Sequence, residues 1–301
     1  MPDTALPRPQ SAVQGNAGAL ARELHIVPGV GIAAHVLQGA DLRILSVRAE
    51  LPALIIVDQG VKTVRPERSQ AVRAKPGQAI VLAGGQNVDF TNAVPAGAQY
   101  EARWLVFDRA LCEEPYYRDR AGYLPAPAPA RLLPHVSDNL AAAFENARRA
   151  LAPEANLPDA IARQRVLEVM HWLLECGIAL HCPEVNPSTA AKVRTLVSSR
   201  LDHDWTACEV ASALAQSEAT LRRRLAAENT SLTALLADAR MATALTLLQA
   251  TSRPVAHIAL AVGYESPSRF AIRFRKRFGF APTAVRGHER VNPSHQRSID
   301  Q

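Results

Sequence analysis

The segment VAHIALAVGYESPSRFAIRFRKRFGFAPTAVRG (residues 255–287) combines basic and aromatic side chains at helical spacing. Its phenylalanines recur every four residues and predict the buried face of a helix: Phe270, Phe274 and Phe278. Its arginines keep the same spacing one position earlier, on a face that we expect to point outward: Arg269, Arg273 and Arg277. Guanidinium groups on an exposed helix bind phosphate oxygens or base edges, so this segment offers the chemistry of nucleic-acid recognition.

The residues before this helix predict a second, shorter helix joined to it by a tight turn. Gly263 can adopt the left-handed conformation that ends a helix, and Ser266 can cap the next helix. Pro267 would then occupy the first helical position, where no backbone hydrogen bond is lost. A short helix, a tight turn and a serine-capped longer helix together predict a helix-turn-helix unit.

The same pattern occurs a second time upstream. EVASALAQSEATLRRRLAAE (209–228) aligns with HIALAVGYESPSRFAIRFRKRF (257–278), with one extra residue in the second turn. The matched pairs are Ala211 with Ala259, Leu214 with Val262, Ser217 with Ser266, Leu221 with Phe270, and Leu225 with Phe274. The spacing leaves three arginines of the upstream copy largely free at its surface: Arg222, Arg223 and Arg224.

One uninterrupted helical pattern, SLTALLADARMATALTLLQA (231–250), joins the two units. At 1.5 Å per residue this helix spans about 30 Å. That length is close to one turn of DNA, about 34 Å. We therefore expect the second helices of both units to enter successive major grooves on one face of double-stranded DNA.

The distribution of charge favours an anionic partner for the C-terminal third. Residues 188–301 contain 16 of the 34 Lys and Arg but only 9 of the 28 Asp and Glu, a net charge of +7. Residues 1–187 are left at −1. A hydrophobic fraction of 48% predicts a globular chain. Without a run of eighteen apolar residues or a secretory pattern, and with four scattered cysteines, we expect a cytoplasmic protein with reduced thiols.

The N-terminal part predicts many short strands separated by Gly and Pro, as in KPGQAIVLAGGQNVDF, which is typical of a β-barrel or sandwich. The predicted fold class is therefore α+β multidomain, with strands, then helices, then an all-α domain holding both helix-turn-helix units and their long joining helix. The expected regions are a disordered tail (1–19), a sensor or regulatory domain (20–121), a Pro/Ala-rich connector (122–134), a helical dimerisation or linker region (135–187), a DNA-binding domain (188–288) and a C-terminal tail (289–301).

Residues 159–177 predict an amphipathic helix with four apolar side chains on one face: Val166, Met170, Leu173 and Leu174. We name these four residues as candidates for dimerisation with a second copy of the chain. The alternative is that the chain's own sensor domain covers them.

No metal site is predicted. Cys176 and Cys182, with His171 and His181 nearby, fit no usual zinc spacing, so buried thiols are the simpler interpretation. A cupin enzyme requires two histidines one residue apart, a carboxylate and a later histidine. The two N-terminal histidines, His25 and His35, are isolated from each other. No further histidine occurs between residues 36 and 134. We therefore predict no enzyme activity, no catalytic residues and no cofactor.

The C-terminal pattern as a whole resembles the signature of the AraC/XylS family of bacterial transcription regulators. In the downstream unit the resemblance is carried by Ile258-Ala259, Gly263-Tyr264, Ser266, Ser268, Phe270, Phe274, Phe278-Gly279, Pro282 and Arg286. Upstream it is carried by Ala211, Leu221, Arg223, Arg240, Ala244 and Leu247-Leu248. The resemblance covers about 188–287. For the N-terminal region it rests on the strand pattern and on PGQAIVL, which is similar to a strand of the cupin-like sensor domains of this family.

The resemblance implies a DNA-binding regulator, more specifically an activator, with a homodimeric state, a small-molecule effector and RNA polymerase as a further partner. The DNA-contacting positions it implies are Ser217, Ala219, Thr220, Arg222, Arg223 and Arg224 in the first unit, and Ser266, Ser268, Arg269, Ile272 and Arg273 in the second. Among these, the implied base readers of the first unit are Ala219, Arg222 and Arg223. Other arginines and a lysine would meet phosphate or solvent: Arg224, Arg275, Lys276 and Arg277.

Four positions depart from the family pattern. Ala215 stands where glycine is frequent, and Gln216 where an apolar residue is frequent. Asn229 also replaces a glycine, and asparagine tolerates the left-handed conformation. Ile272 replaces an arginine, so base reading there would be apolar, for example of a thymine methyl group, or absent.

Alternatives for the N-terminal domain stay open. Its ligand would be small and apolar or acidic, with a carboxylate bound by one of six cationic candidates: Arg43, Arg48, Lys62, Arg65, Arg73 and Arg103. A protein partner could instead control the regulator. A cupin enzyme or a cysteine-dependent DNA-repair protein would need metal ligands that these spacings lack, since Cys112 is the only cysteine before the helices.

Overall fold

The computed structural model describes residues 22–67, 69–180 and 188–287. The tails expected at 1–19 and 289–301 lie outside the described residues, as does part of the expected linker. Within the described ranges the strands are β1 (Glu23–Val27), β2 (Gly31–Gln38), β3 (Leu42–Ala49), β4 (Ala53–Gln59), β5 (Val61–Pro66), β6 (Val72–Ala74), β7 (Ala79–Leu82), β8 (Gln86–Ala93), β9 (Tyr100–Phe107) and β10 (Ala130–Leu133).

These strands form a two-layer structure, called the sandwich below. One sheet has six strands in the order β1-β2-β9-β4-β7-β10, and the other has four in the order β3-β8-β5-β6. The central strand β4 is apolar without alternation because the six-stranded sheet is buried on both faces. Leu54 and Ile56 belong to the core beneath the helices, whereas Ile55 and Val57 belong to the core between the sheets. The predicted N-terminal barrel or sandwich is confirmed.

The Pro/Ala-rich segment 122–134 is only partly a connector. Its last residues form β10, which pairs antiparallel with β7 and places Arg131 opposite Val81. β10 ends the six-stranded sheet, where prolines directly before it remove no ladder hydrogen bond. The prediction of a plain connector is therefore wrong for 130–133.

Four helices accompany the sandwich: α1 (Arg109–Cys112), α2 (Pro115–Ala121), α3 (Asp138–Leu151) and α4 (Asp159–Glu175). Ser137 caps α3 by accepting a hydrogen bond from the amide of Leu140 at 3.3 Å. The apolar faces of α3 and α4 share one core with the outer face of the six-stranded sheet.

The four dimerisation candidates on α4 lie inside this core. Val166, Met170 and Leu173 are fully buried, and Leu174 is 8% exposed. Their assignment to dimerisation is therefore wrong, because α3 and the sheet of the same chain already cover them. The alternative, cover by the chain's own sensor domain, is what the structure shows.

The thiols and metal-ligand residue types need one further correction. Cys176 at the end of α4 is exposed, so the expectation of a buried thiol is wrong there. Cys182 and His181 lie outside the described residues. Within the described part of the chain, no three His, Cys, Asp or Glu side chains are grouped so that they could hold a metal ion.

The C-terminal part consists of α5 (Thr189–Ser198), α6 (Ala207–Ala213), α7 (Glu218–Ala227), α8 (Leu232–Ala250), α9 (Val255–Ala261), α10 (Pro267–Phe278) and a 3₁₀ helix (Pro282–Arg286). Unit 1 denotes α5, α6, α7 and the first half of α8, which share one core. Unit 2 denotes the second half of α8, α9, α10 and the 3₁₀ helix, and its core also takes in Leu42 and Ile44 of β3. Unit 2 is thus continuous with the sandwich, whereas unit 1 has a core of its own.

The predicted all-α domain with a long joining helix is confirmed, since α8 runs unbroken between the two units. No single described helix is long and apolar enough to cross a membrane; α7 and α8 reach that length and composition only as a pair bent by 68°.

Candidate nucleic-acid interface

Unit 1 positions its second helix through short-range caps. Thr206 and Glu209 form a reciprocal capping box at the start of α6. Ser217 caps α7, with its hydroxyl accepting a hydrogen bond from the amide of Thr220 at 3.2 Å. Ala211 is buried where α6 and α7 pack. The first residues of α7 are therefore held in a fixed geometry at the surface.

The turns of the two units share one backbone conformation. The φ angle is +52° at Ala215 and +80° at Gly263. In each turn the next amide donates to a carbonyl five residues earlier, at 3.0 and 2.9 Å. Asn229, which follows α7, is also left-handed, with φ of +54°. The internal repeat thus extends to the turn geometry, and Ala215 keeps the glycine-like conformation although it carries a Cβ.

The turn of unit 2 has no room for such a Cβ. A Cβ at Gly263 would lie 2.5 Å from the carbonyl oxygen of Leu201 and 2.7 Å from a guanidinium nitrogen of Arg240. Arg240, near the middle of α8, donates to the carbonyls of Leu201 and His203 at 2.9 and 3.1 Å. It therefore fixes the loop between α5 and α6 against the turn of unit 2. The sequence indicated Arg240 only through the family resemblance. Its partners are backbone carbonyls, and these cannot be recognised from the types of the residues that carry them.

Unit 1 contains a second anchor that sequence reasoning missed. The Glu228 carboxylate accepts hydrogen bonds from the amides of Thr189 and Ala190 at 2.8 and 2.9 Å, and so holds the start of α5 against the end of α7. Burial raises the pKa of the Glu228 carboxyl, but hydrogen bonds from Ala190, Ser188 and Thr189 outweigh burial and lower it overall. The only local indication of this anchor in the sequence is Glu228 followed by Asn229, an asparagine that tolerates the left-handed conformation.

The positions of unit 1 expected to contact DNA lie along one stretch of α7. Ser217, Ala219, Arg222, Arg223 and Arg224 are exposed, and Thr220 is half-buried. Arg222 pairs with Glu218 at 3.1 Å, and Arg224 donates to the Gln216 side-chain oxygen at 3.1 Å. Arg223 is exposed, and its guanidinium forms no hydrogen bond or ion pair with any other residue in the described ranges. It is the arginine of α7 that is most available to a ligand.

Unit 2 presents a matching surface. Ser266 caps α10 by accepting from the amide of Arg269 at 3.4 Å, and Pro267 opens the helix as expected. Phe270, Phe274 and Phe278 are buried, as predicted. Ser268, Arg269, Ile272 and Arg273 are exposed, and Ser266 is half-buried.

A surface groove of about 700 Å³ collects most of these positions: Ser266, Arg269, Ile272 and Arg273. Ile272 is 66% exposed, so its apolar side chain is accessible in this groove. Three acidic residues line the same groove: Asp202, Asp204 and Glu265. Within the described residues, the guanidinium groups of Arg269 and Arg273 form no hydrogen bond or ion pair, and both side chains are exposed.

Arg277 does not point to the same surface. It donates to the carbonyls of Leu45 and Ser46 in β3 at 2.9 and 2.7 Å, and pairs with Asp238 of α8 at 3.0 Å. The expectation that Arg277 meets phosphate or solvent is therefore wrong, because the sandwich occupies its position. Arg275 and Lys276 are exposed.

One of the cationic candidates of the N-terminal domain lies inside the sandwich. Lys62 is 2% exposed, and its ammonium lies 4.2 Å from the ring centroid of Phe90 and 5.2 Å from that of Trp104. Burial lowers the pKa of Lys62 to about 7. Tyr100 and Trp104 beside it keep a buried hydroxyl and a buried ring N–H without a hydrogen-bond partner among the described residues.

Another cationic candidate, Arg103, already pairs with a carboxylate of the same chain. Arg103 forms two hydrogen bonds with the Asp58 carboxylate, at 2.9 and 2.7 Å. Arg43 and Arg65 are exposed and line a groove on the outer face of the four-stranded sheet. The six candidates therefore do not form one site.

Comparison with known proteins agrees with this geometry. Residues 210–288 match a family model described as a helix-turn-helix domain. The regulator GadX of Escherichia coli is 33% identical over 99 residues, which are 33% of this chain and 36% of GadX. The transcriptional regulator SirC of Salmonella typhimurium is 36% identical over 95 residues, 32% of each chain. The matches thus span about a third of the length of these curated relatives.

The whole fold also has a solved counterpart. The structure of ToxT from Vibrio cholerae superposes with a TM-score of 0.57 at 12% identity, covering 84% of this chain and 97% of ToxT. At this identity the likeness concerns the fold alone, a sandwich followed by helices and a helix-turn-helix domain. Residues 210–288 of this chain, with their two capped helices and their matched turns, therefore form a helix-turn-helix domain similar to those of the regulators GadX and SirC.

Proposed function

We propose that the protein is a sequence-specific transcription regulator that binds double-stranded DNA through α7 and α10. The observation that carries this proposal is the repeat itself. Two helices with the same serine cap and the same preceding turn each present at least one arginine whose guanidinium has no partner among the described residues, and helix α8 joins them. Its 19 residues span about 28 Å, close to the ~34 Å that separates successive major grooves on one face of DNA.

In unit 1 we assign base reading to Ala219, Arg222 and Arg223. Arginine binds guanine through two parallel hydrogen bonds, a contact worth about 1–3 kcal/mol of discrimination. Arg223 is available at once, whereas Arg222 must leave Glu218. Ser217, Thr220 and Arg224 lie at the ends of this row and are assigned to the DNA backbone.

In unit 2 we assign apolar base contact to Ile272, since its exposed side chain suits a thymine methyl group. Arg269 and Arg273 flank it by one helical turn or less and are assigned to phosphates, together with the hydroxyls of Ser266 and Ser268. The carboxylates of Asp202, Asp204 and Glu265, which line the same groove, repel phosphates, so the phosphate contacts are assigned to these arginines and hydroxyls alone.

The sandwich is the regulatory part in this proposal. It senses a small molecule or receives a protein partner, and the unpartnered polar groups around Lys62 favour the small molecule. Activation of transcription with RNA polymerase as partner, a homodimeric state and a cytoplasmic location complete the proposal. A dimer would have to use surface other than the buried face of α4, for example the side that carries Ile161, which is 44% exposed.

DNA binding is tested by fluorescence anisotropy of a labelled random-sequence duplex between about 50 and 200 mM salt. The full-length protein should bind with an affinity that falls steeply with salt, and Arg223→Ala and Arg273→Ala should each weaken binding. Arg149→Ala, an exposed arginine of α3, is the matched control and should leave binding unchanged. Equal losses in the control, or binding independent of salt, would contradict the assignment of α7 and α10 as the DNA surface.

A further inference from the structure

A single hydrogen-bonded chain connects the interior of the sandwich to the DNA-binding part. Four polar side chains are buried among the described residues, each at most 2% exposed: Gln38, Lys62, Asn92 and Gln249. Lys62 donates to the Asn92 side-chain oxygen at 3.0 Å, and Asn92 donates to the Gln38 side-chain oxygen at 2.9 Å. Gln249 donates to that same oxygen at 2.9 Å. These four residues are called the buried polar chain.

The buried polar chain includes residues from both sheets of the sandwich and from helix α8. Lys62 lies on β5 and Asn92 on β8, both in the four-stranded sheet. Gln38 ends β2 in the six-stranded sheet, and Gln249 lies in the last turn of α8. Gln38 and Gln249 are 211 residues apart in sequence. The chain therefore joins both layers of the sandwich to the helix that carries units 1 and 2.

The orientation of every amide in the chain follows from Lys62. An ammonium group only donates, so Asn92 must turn its oxygen toward Lys62 and its NH₂ toward Gln38. Gln38 must then turn its oxygen toward both Asn92 and Gln249, and its NH₂ donates to the carbonyl of Ala40 at 2.7 Å. A change in the hydrogen-bond donation of Lys62 therefore alters the hydrogen bond of Gln249, since each buried amide has few other partners.

The far end of the chain lies in a closely packed junction. Gly39 directly after Gln38 donates to the carbonyl of Val285 at 3.2 Å, and a Cβ at Gly39 would lie 2.8 Å from the Cα of Gly287. Arg286 donates to the carbonyl of Thr251 just beyond α8 at 2.7 Å. Small shifts of Gln249 therefore displace the end of α8 and the 3₁₀ helix together, because packed junctions do not deform smoothly.

At the Lys62 end of the buried polar chain, the ammonium has few hydrogen-bond partners. The Lys62 ammonium has an amide oxygen and three aromatic rings around it: Phe90, Tyr100 and Trp104. No carboxylate of the described residues pairs with it. The net contribution of a buried hydrogen bond to stability is small, and well-packed apolar side chains of similar volume often serve such a junction equally well. A stability role alone does not explain the chain.

We propose that Lys62, Asn92, Gln38 and Gln249 are positioning residues that couple the interior of the sandwich to the end of α8 and thereby to unit 2. The coupling is a property of the folded protein, and only its regulatory use rests on the proposed function. Any event that alters the hydrogen bonding of Lys62 changes how firmly α8 is held against β2.

The coupling is measured by hydrogen–deuterium exchange of the full-length protein without DNA. Lys62→Met should raise the exchange of amides in 245–251 and 282–287 about tenfold, although these amides do not touch Lys62. Lys75→Met, the same substitution at an exposed position of the sandwich, is the matched control and should leave these peptides unchanged. The double variant Lys62→Met with Gln249→Leu should exchange no faster there than Gln249→Leu alone, since the two act through one chain.

Gln249→Leu tests the coupling from the other end, and also covers the case that Lys62→Met does not fold. Because coupling free energies are reciprocal, this variant should raise exchange in β5 and β8. Changes confined to the neighbourhood of each substitution, or additive effects in the double variant, would overturn the proposal. As no DNA is used, a protein that fails to bind DNA would refute the proposed function without deciding this test.

Discussion

At the scale of single residues, two matched turns place different demands on one backbone position. Ala215 and Gly263 are both left-handed, but Ala215 is exposed, whereas a Cβ at Gly263 would clash with Leu201 and Arg240. A left-handed conformation costs an ordinary L-residue about 1–2 kcal/mol, whereas glycine adopts it readily. Ala215 is therefore tolerated at a cost in strain, while Gly263 is required by space as well.

The substitutions Gly263→Ala and Ala215→Gly should have opposite effects. We expect Gly263→Ala to lower the free energy of unfolding by more than about 2 kcal/mol, because strain and a clash add. Ala215→Gly should raise the free energy of unfolding by about 0.5–1 kcal/mol as strain is relieved. Denaturant unfolding of both variants measures the two changes. Equal losses of stability in the two variants would contradict the difference in strain and space between the two turns.

At the scale of elements, helix termini hold the DNA-binding part together. The start of α5 is bound by Glu228 from beyond the end of α7, and the loop before α6 is bound by Arg240 from α8. Hydrogen bonds from backbone amides to a carboxylate are stronger than those to a neutral group. Unit 1, whose core is separate, depends most on these links.

The Glu228 anchor predicts a dependence of stability on pH. The pKa of Glu228 is lowered on folding, so its contribution is complete above the ordinary carboxyl pKa of about 4.3 and is lost as pH falls through the lower folded value. Glu228→Gln should cost about 1 kcal/mol at neutral pH. The difference from the original protein should shrink in acid. Thermal unfolding between pH 3 and 7 would contradict this if the difference stayed constant.

Local features of these elements were predictable, and distant ones were not. Ser217, Ser266 and the buried phenylalanines of α10 follow from spacing and capping rules that act within a few residues. The burial of Val166 depends on α3 and the sheet, and an amphipathic pattern cannot tell an intramolecular cover from a second copy. Arg277 and Gln249 find partners 231 and 211 residues away, beyond the reach of any local pattern.

At the scale of the whole molecule, the two units are attached differently to the sandwich. Unit 2 shares a core with β3, whereas unit 1 touches the sandwich through an ion pair such as Arg194 with Glu50 at 3.6 Å. Exposed ion pairs contribute little, about 0–1 kcal/mol. If the sandwich is the regulatory part, as we propose, its signal reaches unit 2 first and unit 1 through α8.

Two neighbouring arginines of α10 separate attachment from DNA binding. Arg277→Ala should lower the free energy of unfolding by about 1–2 kcal/mol, because it removes hydrogen bonds to β3, and should leave the salt dependence of DNA binding unchanged. Arg275→Ala should leave stability unchanged and reduce the salt slope by about 1. Denaturant unfolding and anisotropy titrations on both variants measure this. A reversed pattern would place Arg277 on DNA and contradict its contact with the sandwich.

The central claim is that α7 and α10 of one chain read DNA together. Its most direct test is selection of bound duplexes from random DNA with the full-length protein, followed by footprinting of the enriched sequence. We expect two short protected blocks about one helical turn apart, with the first lost in Arg223→Ala and the second altered in Ile272→Ala. A single block that neither substitution affects, or no enrichment of any sequence, would contradict the claim.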